Sequence, residues 1–266
     1  MAIGKLLPAN CFNVYSFLKY FVKILLPKRL SLNSEPLLRK FISVFYSGIK
    51  YECPVCGFHA RKFLVVHNGE SKLCPSCGSI ERKRLLWLYL NDEIKIQEKN
   101  NLKVLHFSPS IAIFRKLKAM DNINYFPTDF YNPLIKNHFD ITSLPFEEKY
   151  FDLIICYHIL EHVSDDRKAM NELFRVLNFS GALLTQVPYS ENETHEDSSI
   201  TNPAERKKIF GQEDHVRYYG RSDFKTRLEN SGFQVSEIKY AAKIGNEKSE
   251  KYQLNSNETI FCCTNN

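Results

Sequence analysis

The most informative part of the chain reads Asp140-Ile-Thr-Ser-Leu-Pro-Phe-Glu-Glu-Lys-Tyr-Phe-Asp152-Leu-Ile-Ile-Cys156-Tyr-His158-Ile-Leu-Glu161-His162-Val163. Its apolar centre, Leu153–Cys156, has the length and composition of a buried strand. Short apolar runs on both sides of it alternate with helical patterns. Strands are predicted at 103–107, 124–127, 153–156, 182–187, 234–238 and 259–263, and helices at 111–120, 165–177 and 222–230. This alternation predicts an α/β fold with a mostly parallel sheet and helices on both faces.

The bulk composition sets limits on the class of protein. The 266 residues are enough for one α/β domain and a smaller module. The chain is 44% hydrophobic and 25% charged, as in ordinary globular proteins, which argues against low-complexity disorder as the main state. The net charge of +6 permits an anionic partner without requiring one.

Four of the eight cysteines form two pairs, Cys53-Pro-Val-Cys56 and Cys74-Pro-Ser-Cys77, and a glycine follows each pair. Two intervening residues let both sulfurs of a pair face one ion, and the glycine permits the tight turn. Four thiolates at this spacing suit a tetrahedral, structural Zn²⁺. A redox dithiol or an iron–sulfur centre is the alternative, although a redox pair needs only one such motif beside a thioredoxin-like unit. Paired motifs of this kind indicate a reducing compartment, so we expect a cytoplasmic protein.

The N-terminal region is both apolar and basic. Residues 11–26 fit an amphipathic helix that Pro27 ends, and a second short helix is predicted to begin near Pro36. Lys19 and Lys23 interrupt the apolar run, which argues against a signal peptide or a membrane span. We expect both helices to pack on the main body or on a partner subunit. The alternative is peripheral contact with an anionic membrane surface.

The composition changes near residues 97–101, which divides the chain into three predicted regions. Residues 1–50 form the amphipathic helical segment. Residues 51–100 hold a small four-cysteine zinc ribbon and a connecting helix at 80–96, with Ser79 as its N-cap. Residues 101–266 form the α/β domain.

The motif at 140–163 resembles the class I S-adenosylmethionine-dependent methyltransferases of the methyltransferase type 11 kind, which are built around D-x-x-x-L-P-F, F-D-x-[IV] and L-E-H. The likeness covers residues 103–240 in order and spacing. The segments 74–82 and 201–220 are similar to a bacterial subgroup with an N-terminal zinc ribbon, whose members often modify surface saccharides or secondary metabolites. The resemblance implies a Rossmann-like catalytic domain and S-adenosylmethionine as the cofactor.

A nucleoside cofactor lies across the carboxyl ends of parallel strands. Thr128 and Asp129 end the second strand, where a carboxylate accepts hydrogen bonds from ribose hydroxyls. By the resemblance, Asp140 faces the adenine amino group and Ile141 lies beside the ring. The alternative is that Asp129 and Asp140 are only turn residues. The other cofactor candidates, at the ends of the first and third strands, are His106, Ser108, Tyr157 and His158.

The loop after the first strand departs from the family pattern, because Val104–Ser110 contains no glycine. Ser108 is predicted to cap the next helix with Pro109 at its first position, which leaves helix N–H groups for a carboxylate. Weak or absent cofactor binding is the alternative that this departure leaves open.

Methyl transfer is an in-line displacement, and a hydroxyl acceptor also needs a general base. The candidates are His215 and Asp214, in the segment after the strand at 182–187, and His162. For His162 and its neighbour Glu161, packing at a helix start is the alternative. We expect a small-molecule or saccharide acceptor methylated on oxygen. RNA, bound through Arg82–Arg84, and a non-catalytic, partner-binding scaffold are the competing hypotheses, and the sequence leaves the oligomeric state open.

Overall fold

The computed structural model describes residues 28–66 and 71–265, which divide into two compact units. Of the described residues, 28–66, 71–88 and 246–255 belong to the first unit, and 89–245 and 256–265 belong to the second. The helix predicted at 11–26 lies outside the described residues. In chain order the helices and strands are α1 (Lys28–Val44), β1 (Ser47–Glu52), β2 (His59–Ala60), β3 (Leu64–Val66), β4 (Ser71–Leu73), α2 (Glu81–Asp92), β5 (Leu102–Phe107), α3 (Ile111–Lys118), β6 (Ile123–Thr128), β7 (Phe151–Tyr157), a 3-10 helix (Leu160–His162), α4 (Asp166–Val176), β8 (Leu177–Gln186), β9 (Tyr189–Ser190), β10 (His195–Glu196), α5 (Pro203–Phe210), β11 (Arg217–Gly220), α6 (Arg221–Asn230), β12 (Gln234–Ile238), α7 (Tyr240–Lys243), α8 (Asn246–Lys251) and β13 (Ile260–Thr264).

The first unit is built around small antiparallel pairs, β1 with β2 and β3 with β4. Its helix α1 begins at Lys28, eight residues before the predicted start, and carries Pro36 inside it. Among the described residues, no helix is both long and apolar enough to cross a membrane.

Arg84 connects distant parts of the first unit. Its guanidinium is fully buried and donates hydrogen bonds to the carbonyls of Lys72 (2.9 Å), Ser79 (2.6 Å), Tyr252 (2.8 Å) and Gln253 (2.5 Å). The fork of five N–H donors on arginine makes such multiple bonding possible. Residues 252 and 253, which the sequence assigns to the α/β domain, therefore help to hold this unit together.

The second unit contains a six-stranded sheet in the order β6–β5–β7–β8–β13–β12. Neighbouring strands among β6, β5, β7 and β8 are parallel, whereas β13 runs antiparallel to both of its neighbours. The predicted α/β fold with a mostly parallel sheet is confirmed, and all six predicted strands are present. The sequence also predicts a turn at 178–181, but these residues lie within β8, so the strand starts at residue 177 rather than at 182.

The sheet is covered by amphipathic helices. The helix α4 buries one face at the spacing expected for a helix that packs on a sheet. Its N-cap is Asp165, whose carboxylate accepts the N–H of Lys168 at 2.9 Å. The buried face consists of Ala169, Met170, Leu173 and Val176.

Three predicted helix caps are not formed as expected. The helix α3 begins at Ile111 with Ser110 as its N-cap, so the prediction that Ser108 caps it is wrong. The sequence also predicts Ser222 as the cap of the helix at 222–230, but α6 has Gly220 at its N-cap and no side-chain cap bond, so Ser222 is not a cap. The hydroxyl of Ser79, the predicted cap of α2, instead lies 3.1–3.2 Å from cysteine sulfurs. In all three cases the serine lies within two or three residues of the start of the helix but does not occupy the position from which its hydroxyl would cap it.

Candidate active site

The carboxyl ends of β5, β6 and β7 border a cavity of about 510 Å³, within the size range of small-molecule sites. Loops after these three strands form one wall, and the loop before β11 contributes Asp214. The lining consists of Phe107, Ser108, Thr128, Asp129, Phe130, Tyr131, Phe139, Asp140, Ile141, His158, Ile159, His162, Val163 and Asp214. This is the edge of a parallel sheet where ligands bind in open α/β folds.

Asp129 follows β6 directly and is both a turn residue and a cavity residue. Its Oδ1 accepts the backbone N–H groups of Tyr131 (2.7 Å) and Asn132 (2.8 Å). The carbonyl of Asp129 lies 2.6 Å from Nδ1 of His138, whose ring stacks on Phe130. The two interpretations from the sequence are therefore compatible, because the turn fixes the orientation of a carboxylate at the cavity wall.

The loop that carries Asp140 is held against β6 by Thr128. The Thr128 hydroxyl is buried, accepts the N–H of Phe139 at 2.8 Å and donates to the carbonyl of Asn137 at 3.3 Å. The backbone N–H and the hydroxyl of Thr142 bond to Asp140 and lower the pKa of its carboxyl below the ordinary value. Asp140 is therefore ionised at neutral pH.

Two loops at the cavity carry non-glycine residues with positive φ. Ser108 has a φ of 40° and His158 a φ of 59°. Each is tied to the next strand: the N–H of Ser108 donates to the Thr128 carbonyl and that of His158 to the Gln186 carbonyl, both at 2.8 Å. Such backbone strain is typical of functional sites. The strained Ser108 occupies the loop where the family pattern has glycines.

The predicted cofactor residues do not all reach the cavity. Six of them line it, namely Ser108, Thr128, Asp129, Asp140, Ile141 and His158. His106 and Tyr157 are instead buried inside β5 and β7 and do not line it. Nδ1 of His106 lies 3.0 Å from the hydroxyl of Tyr125. The side chains of consecutive strand residues point to opposite faces of a sheet. Phe107 at the end of β5 therefore lines the cavity, whereas its neighbour His106 does not.

The three predicted catalytic residues come together at one end of the cavity. Nδ1 of His162 lies 3.2 Å from Oδ2 of Asp214, and the rings of His162 and His215 meet edge to face at 4.7 Å. His215 is only 2% exposed, and its Nδ1 lies 2.9 Å from the Phe210 carbonyl. Glu161 is fully buried, and its Oε1 lies 3.1 Å from Nδ1 of His158. His162 and Asp214 line the cavity, whereas His215 and Glu161 lie behind the lining.

Sequence reasoning missed the residues that hold this end of the cavity in place. Arg217 donates to the carbonyls of Leu160, Val163 and Ser164, which fixes β11 beside the 3-10 helix. The guanidinium groups of Arg217 and Arg227 both donate hydrogen bonds to the Glu196 carboxylate. The bonds from Arg227 and Arg217 lower the pKa of the Glu196 carboxyl to about 2.

The signal for this network was present in the sequence. Arg217 stands two residues after His215, at a spacing that puts both on one face of an extended segment. Arg227 and Arg217 also share Asp166, whose Oδ2 accepts the hydroxyl of Tyr219 at 2.6 Å. Buried arginines need such partners, so a charged residue in an otherwise apolar strand indicates a pairing network.

The four predicted metal ligands of the first unit are brought together. One sulfur from each of Cys53, Cys56, Cys74 and Cys77 lies within 4.8 Å of the others. Both pairs sit in matching turns, in which the N–H of the following glycine donates to the carbonyl of the first cysteine at 2.8 and 2.9 Å. Gly57 and Gly78 have φ values of 71° and 77°, the conformation for which glycine is favoured.

A larger, more exposed depression of about 930 Å³ lies elsewhere on the second unit, lined by Glu191, Thr194, Asp223 and their neighbours. It does not adjoin the carboxyl ends of β5, β6 and β7. The smaller cavity is therefore the candidate site, because ligands of open α/β sheets bind outside the carboxyl ends of the strands.

Known proteins resemble parts of this chain. An uncharacterized protein of Methanocaldococcus jannaschii is 32% identical over 99 residues, which span 37% of this chain and 41% of that protein. The chain thus spans about two-fifths of the length of this relative.

Two solved structures are also similar to parts of this chain. A chain from the complex of the Haloferax volcanii Trm112 methyltransferase activator with a candidate methyltransferase is 11% identical. The match covers 68% of this chain and 93% of that one, with a TM-score of 0.44. Phosphoethanolamine N-methyltransferase 2 of Haemonchus contortus, solved with S-adenosyl-L-methionine, is 13% identical over 57% of this chain and 38% of its own, with a TM-score of 0.42.

The family described as methyltransferase domain (Methyltransf_11) matches residues 109–185. The match begins in the loop after β5, includes Asp129, Asp140 and the 3-10 helix, and ends in β8. Residues 109–185 of the chain are therefore similar to a methyltransferase domain.

Proposed function

We propose that the protein is an S-adenosylmethionine-dependent methyltransferase that methylates an oxygen of a saccharide or another small molecule. The observation that carries this proposal is the pairing of Asp129 and Asp140 in one cavity at the carboxyl ends of parallel strands. An adenosine needs two separate anchors, one for the ribose hydroxyls and one for the adenine amino group. Two carboxylates on different loops of one cavity meet that requirement.

Each anchor has a feature that suits its role. Both turn bonds of Asp129 use Oδ1, so Oδ2 is the atom that would accept the ribose hydroxyls. Asp140 is ionised and would accept the adenine amino group, with the buried Ile141 beside the ring. The N-terminus of α3, which follows Ser108, would receive the carboxylate of the cofactor. When bound, the cofactor supplies a methyl group activated by a sulfonium.

The acceptor side is assigned to His162, Asp214 and His215, because a hydroxyl acceptor has to lose its proton. Phe130 and Tyr131 are 61% and 82% exposed at the cavity and offer faces on which a sugar or aromatic ring can stack. The cavity lining, which lies wholly in the described part of the chain, includes neither lysine nor arginine. A polyanion such as RNA needs such side chains, and this favours a small acceptor.

We also propose that the four cysteines of the first unit hold a structural Zn²⁺. The sulfur–sulfur distances are 3.6 Å for Cys53 with Cys77 and 3.8 Å for Cys56 with Cys74. A tetrahedron with Zn–S bonds of about 2.3 Å has edges of about 3.8 Å. The Ser79 hydroxyl, 3.2 Å from the Cys53 sulfur, would donate a hydrogen bond to a thiolate and so help to orient it.

Isothermal titration calorimetry with S-adenosylmethionine and S-adenosylhomocysteine tests the proposed cofactor. Wild-type protein should bind both ligands, and Asp129→Asn should weaken binding by about 10- to 100-fold, because a charge-assisted hydrogen bond contributes about 1.5–3 kcal/mol. The amide oxygen of asparagine can still accept the two turn bonds, so the loop should keep its shape.

Asp121→Asn is the matched control, because Asp121 is an exposed acid in the loop before β6 and the substitution changes the net charge equally. It should bind like wild type. A folded wild-type protein that binds neither ligand would refute the proposal and favour the non-catalytic scaffold. Equal weakening in both variants would show that net charge, rather than Asp129, governs binding.

A further inference from the structure

We infer that Glu161, His162 and His215 form a second metal site, distinct from the four cysteines. One ligand atom of each of these three residues lies within 4.8 Å of the others. Two imidazoles and one carboxylate are a common donor set for catalytic zinc and for non-haem iron. The methyltransferase reaction assigned above does not itself call for a metal.

The two histidines are already oriented as metal ligands usually are. Nδ1 of His215 lies 2.9 Å from the Phe210 carbonyl, a pure acceptor, so this nitrogen carries the proton and Nε2 holds the lone pair. Nδ1 of His162 lies 3.2 Å from Oδ2 of Asp214, which favours the same tautomer. A metal-binding histidine almost always donates its other ring N–H to a carbonyl or a carboxylate.

The Nε2 atom of His215 gives the site an independent signal. This atom is buried, the residue is only 2% exposed, and no described residue forms a hydrogen bond with it. A buried polar atom without a partner is unfavourable, and a native structure rarely leaves one without a reason. A metal ion beside His162 and Glu161 would bond to this lone pair.

The backbone holds the two ligand-bearing segments together before any ion binds. The N–H of Val216 donates to the carbonyl of Glu161 at 2.9 Å, which joins the segment of His215 to that of His162. Arg217 adds bonds to the carbonyls of Leu160 and Ser164. Ligands that are fixed in this way lose little freedom on binding, which favours a preformed site.

The chemistry selects a divalent ion with an affinity for imidazole, and we take Zn²⁺ as the species to test. Three protein ligands leave a coordination position for water or a substrate, in contrast to the closed site of four cysteines. His162 lines the cavity, so the ion would face it. A bound divalent ion lowers the pKa of a coordinated hydroxyl, so an acceptor bound to the ion would release its proton to water, and the two histidines would act as ligands of the ion rather than as bases. This last role rests on the proposed methyltransferase function, whereas metal binding does not.

Zinc counting by inductively coupled plasma mass spectrometry tests the site. The proteins are equilibrated with excess Zn²⁺ and then exchanged into metal-free buffer. His162→Gln should hold one zinc per chain fewer than wild type, because glutamine is a poor metal ligand. The side chain of His162 is 30% exposed, which makes this variant the one best able to fold. His195→Gln, at an exposed histidine of the same unit, should hold as much zinc as wild type. Equal zinc content in His162→Gln and wild type would overturn the inference.

A second measurement uses the wild-type chain alone and so does not depend on how a variant folds. Diethyl pyrocarbonate modifies accessible imidazoles, and peptide mass spectrometry reports each histidine separately. Zn²⁺ should slow modification of His162 at least tenfold and leave the exposed His195 unchanged. Modification of His162 at the same rate with and without Zn²⁺ would also overturn the inference. Cofactor calorimetry is independent of both readouts, so failure of the metal site and failure of the methyltransferase proposal are distinguishable.

Discussion

Replacing Arg84 with methionine should destabilise the first unit strongly. The substitution keeps much of the apolar stem but removes a buried guanidinium that bonds four carbonyls at 2.5–2.9 Å. Hydrogen bonds to charged groups contribute about 1.5–3 kcal/mol each, but four of them do not simply add. The variant also avoids the cost of burying a charged guanidinium, which offsets part of the lost stability. We therefore expect the free energy of unfolding to fall by about 3–5 kcal/mol, the range for a broken buried charge network.

The assay is urea unfolding followed by tryptophan fluorescence. The chain has a single tryptophan, Trp87, which lies in α2 three residues after Arg84 and is 8% exposed, so its emission reports on this unit. Arg84→Lys should be intermediate, because an ammonium keeps the charge but lacks the planar fork. Arg61→Met is the control, because Arg61 is an exposed arginine of the same unit, and it should change the midpoint little. A loss of less than 1 kcal/mol in Arg84→Met would refute the view that this side chain holds the unit together.

Three further predictions concern stability. Glu196→Gln should lower the free energy of unfolding at pH 7 by about 1–2 kcal/mol, allowing for partial exposure of the pair. The pKa of the Glu196 carboxyl in the folded protein lies below its ordinary value, so the stability difference between wild type and Glu196→Gln should shrink as pH falls from 4.5 towards 2. A stability difference that stays constant across acid denaturation curves would contradict this prediction. Ser108→Gly should raise the melting temperature by about 1–3 °C in calorimetry by relieving the positive φ, whereas Ser110→Gly, at a φ of −62°, should not. Removing metal with a strong chelator should raise hydrogen exchange in the cysteine-bearing turns at 53–57 and 74–78 while β5 and β7 stay protected, and uniform exchange across the chain would argue against a local structural zinc.

The sheet was predictable because its central strands have few alternatives. Leu153–Cys156 is a continuous apolar run too short for a helix, and it is buried throughout. The start of β8 was not predictable in the same way. Its residues 178–181 have the composition of a turn, but β8 continues through them with an irregular register opposite β7. A turn and a bulge favour the same residues, so composition alone cannot separate them.

The helix α5 was missed although its boundary signals are clear. Asn202 accepts the N–H groups of Ala204 and Glu205, Pro203 begins the helix, and Gly211 follows it with a φ of 93°. The periodicity that normally identifies a helix is absent, because Phe210 is its one buried residue. The residues at its two boundaries therefore predict this helix, whereas its hydrophobic pattern does not.

Six of the eight predicted cofactor residues line the cavity, but the contacts among the residues at its end could not be predicted. The acids Asp129 and Asp140 line the cavity as expected. The meeting of His162 with His215 depends on how Arg217 fixes β11 beside the 3-10 helix. The two histidines are about fifty residues apart in the chain, and local sequence patterns carry no information on such a pairing.

The discontinuity of the first unit affects the order in which a growing chain can fold. Arg84 and its acceptor Tyr252 are separated by 168 residues. A ribosome that adds about 5–20 residues per second needs about 8–34 s to cover that distance. During this interval the cysteine-bearing turns have emerged, but half of the carbonyls that receive the guanidinium have not yet been synthesised. The first unit therefore cannot be completed until the segment that carries Tyr252 and Gln253 has been synthesised.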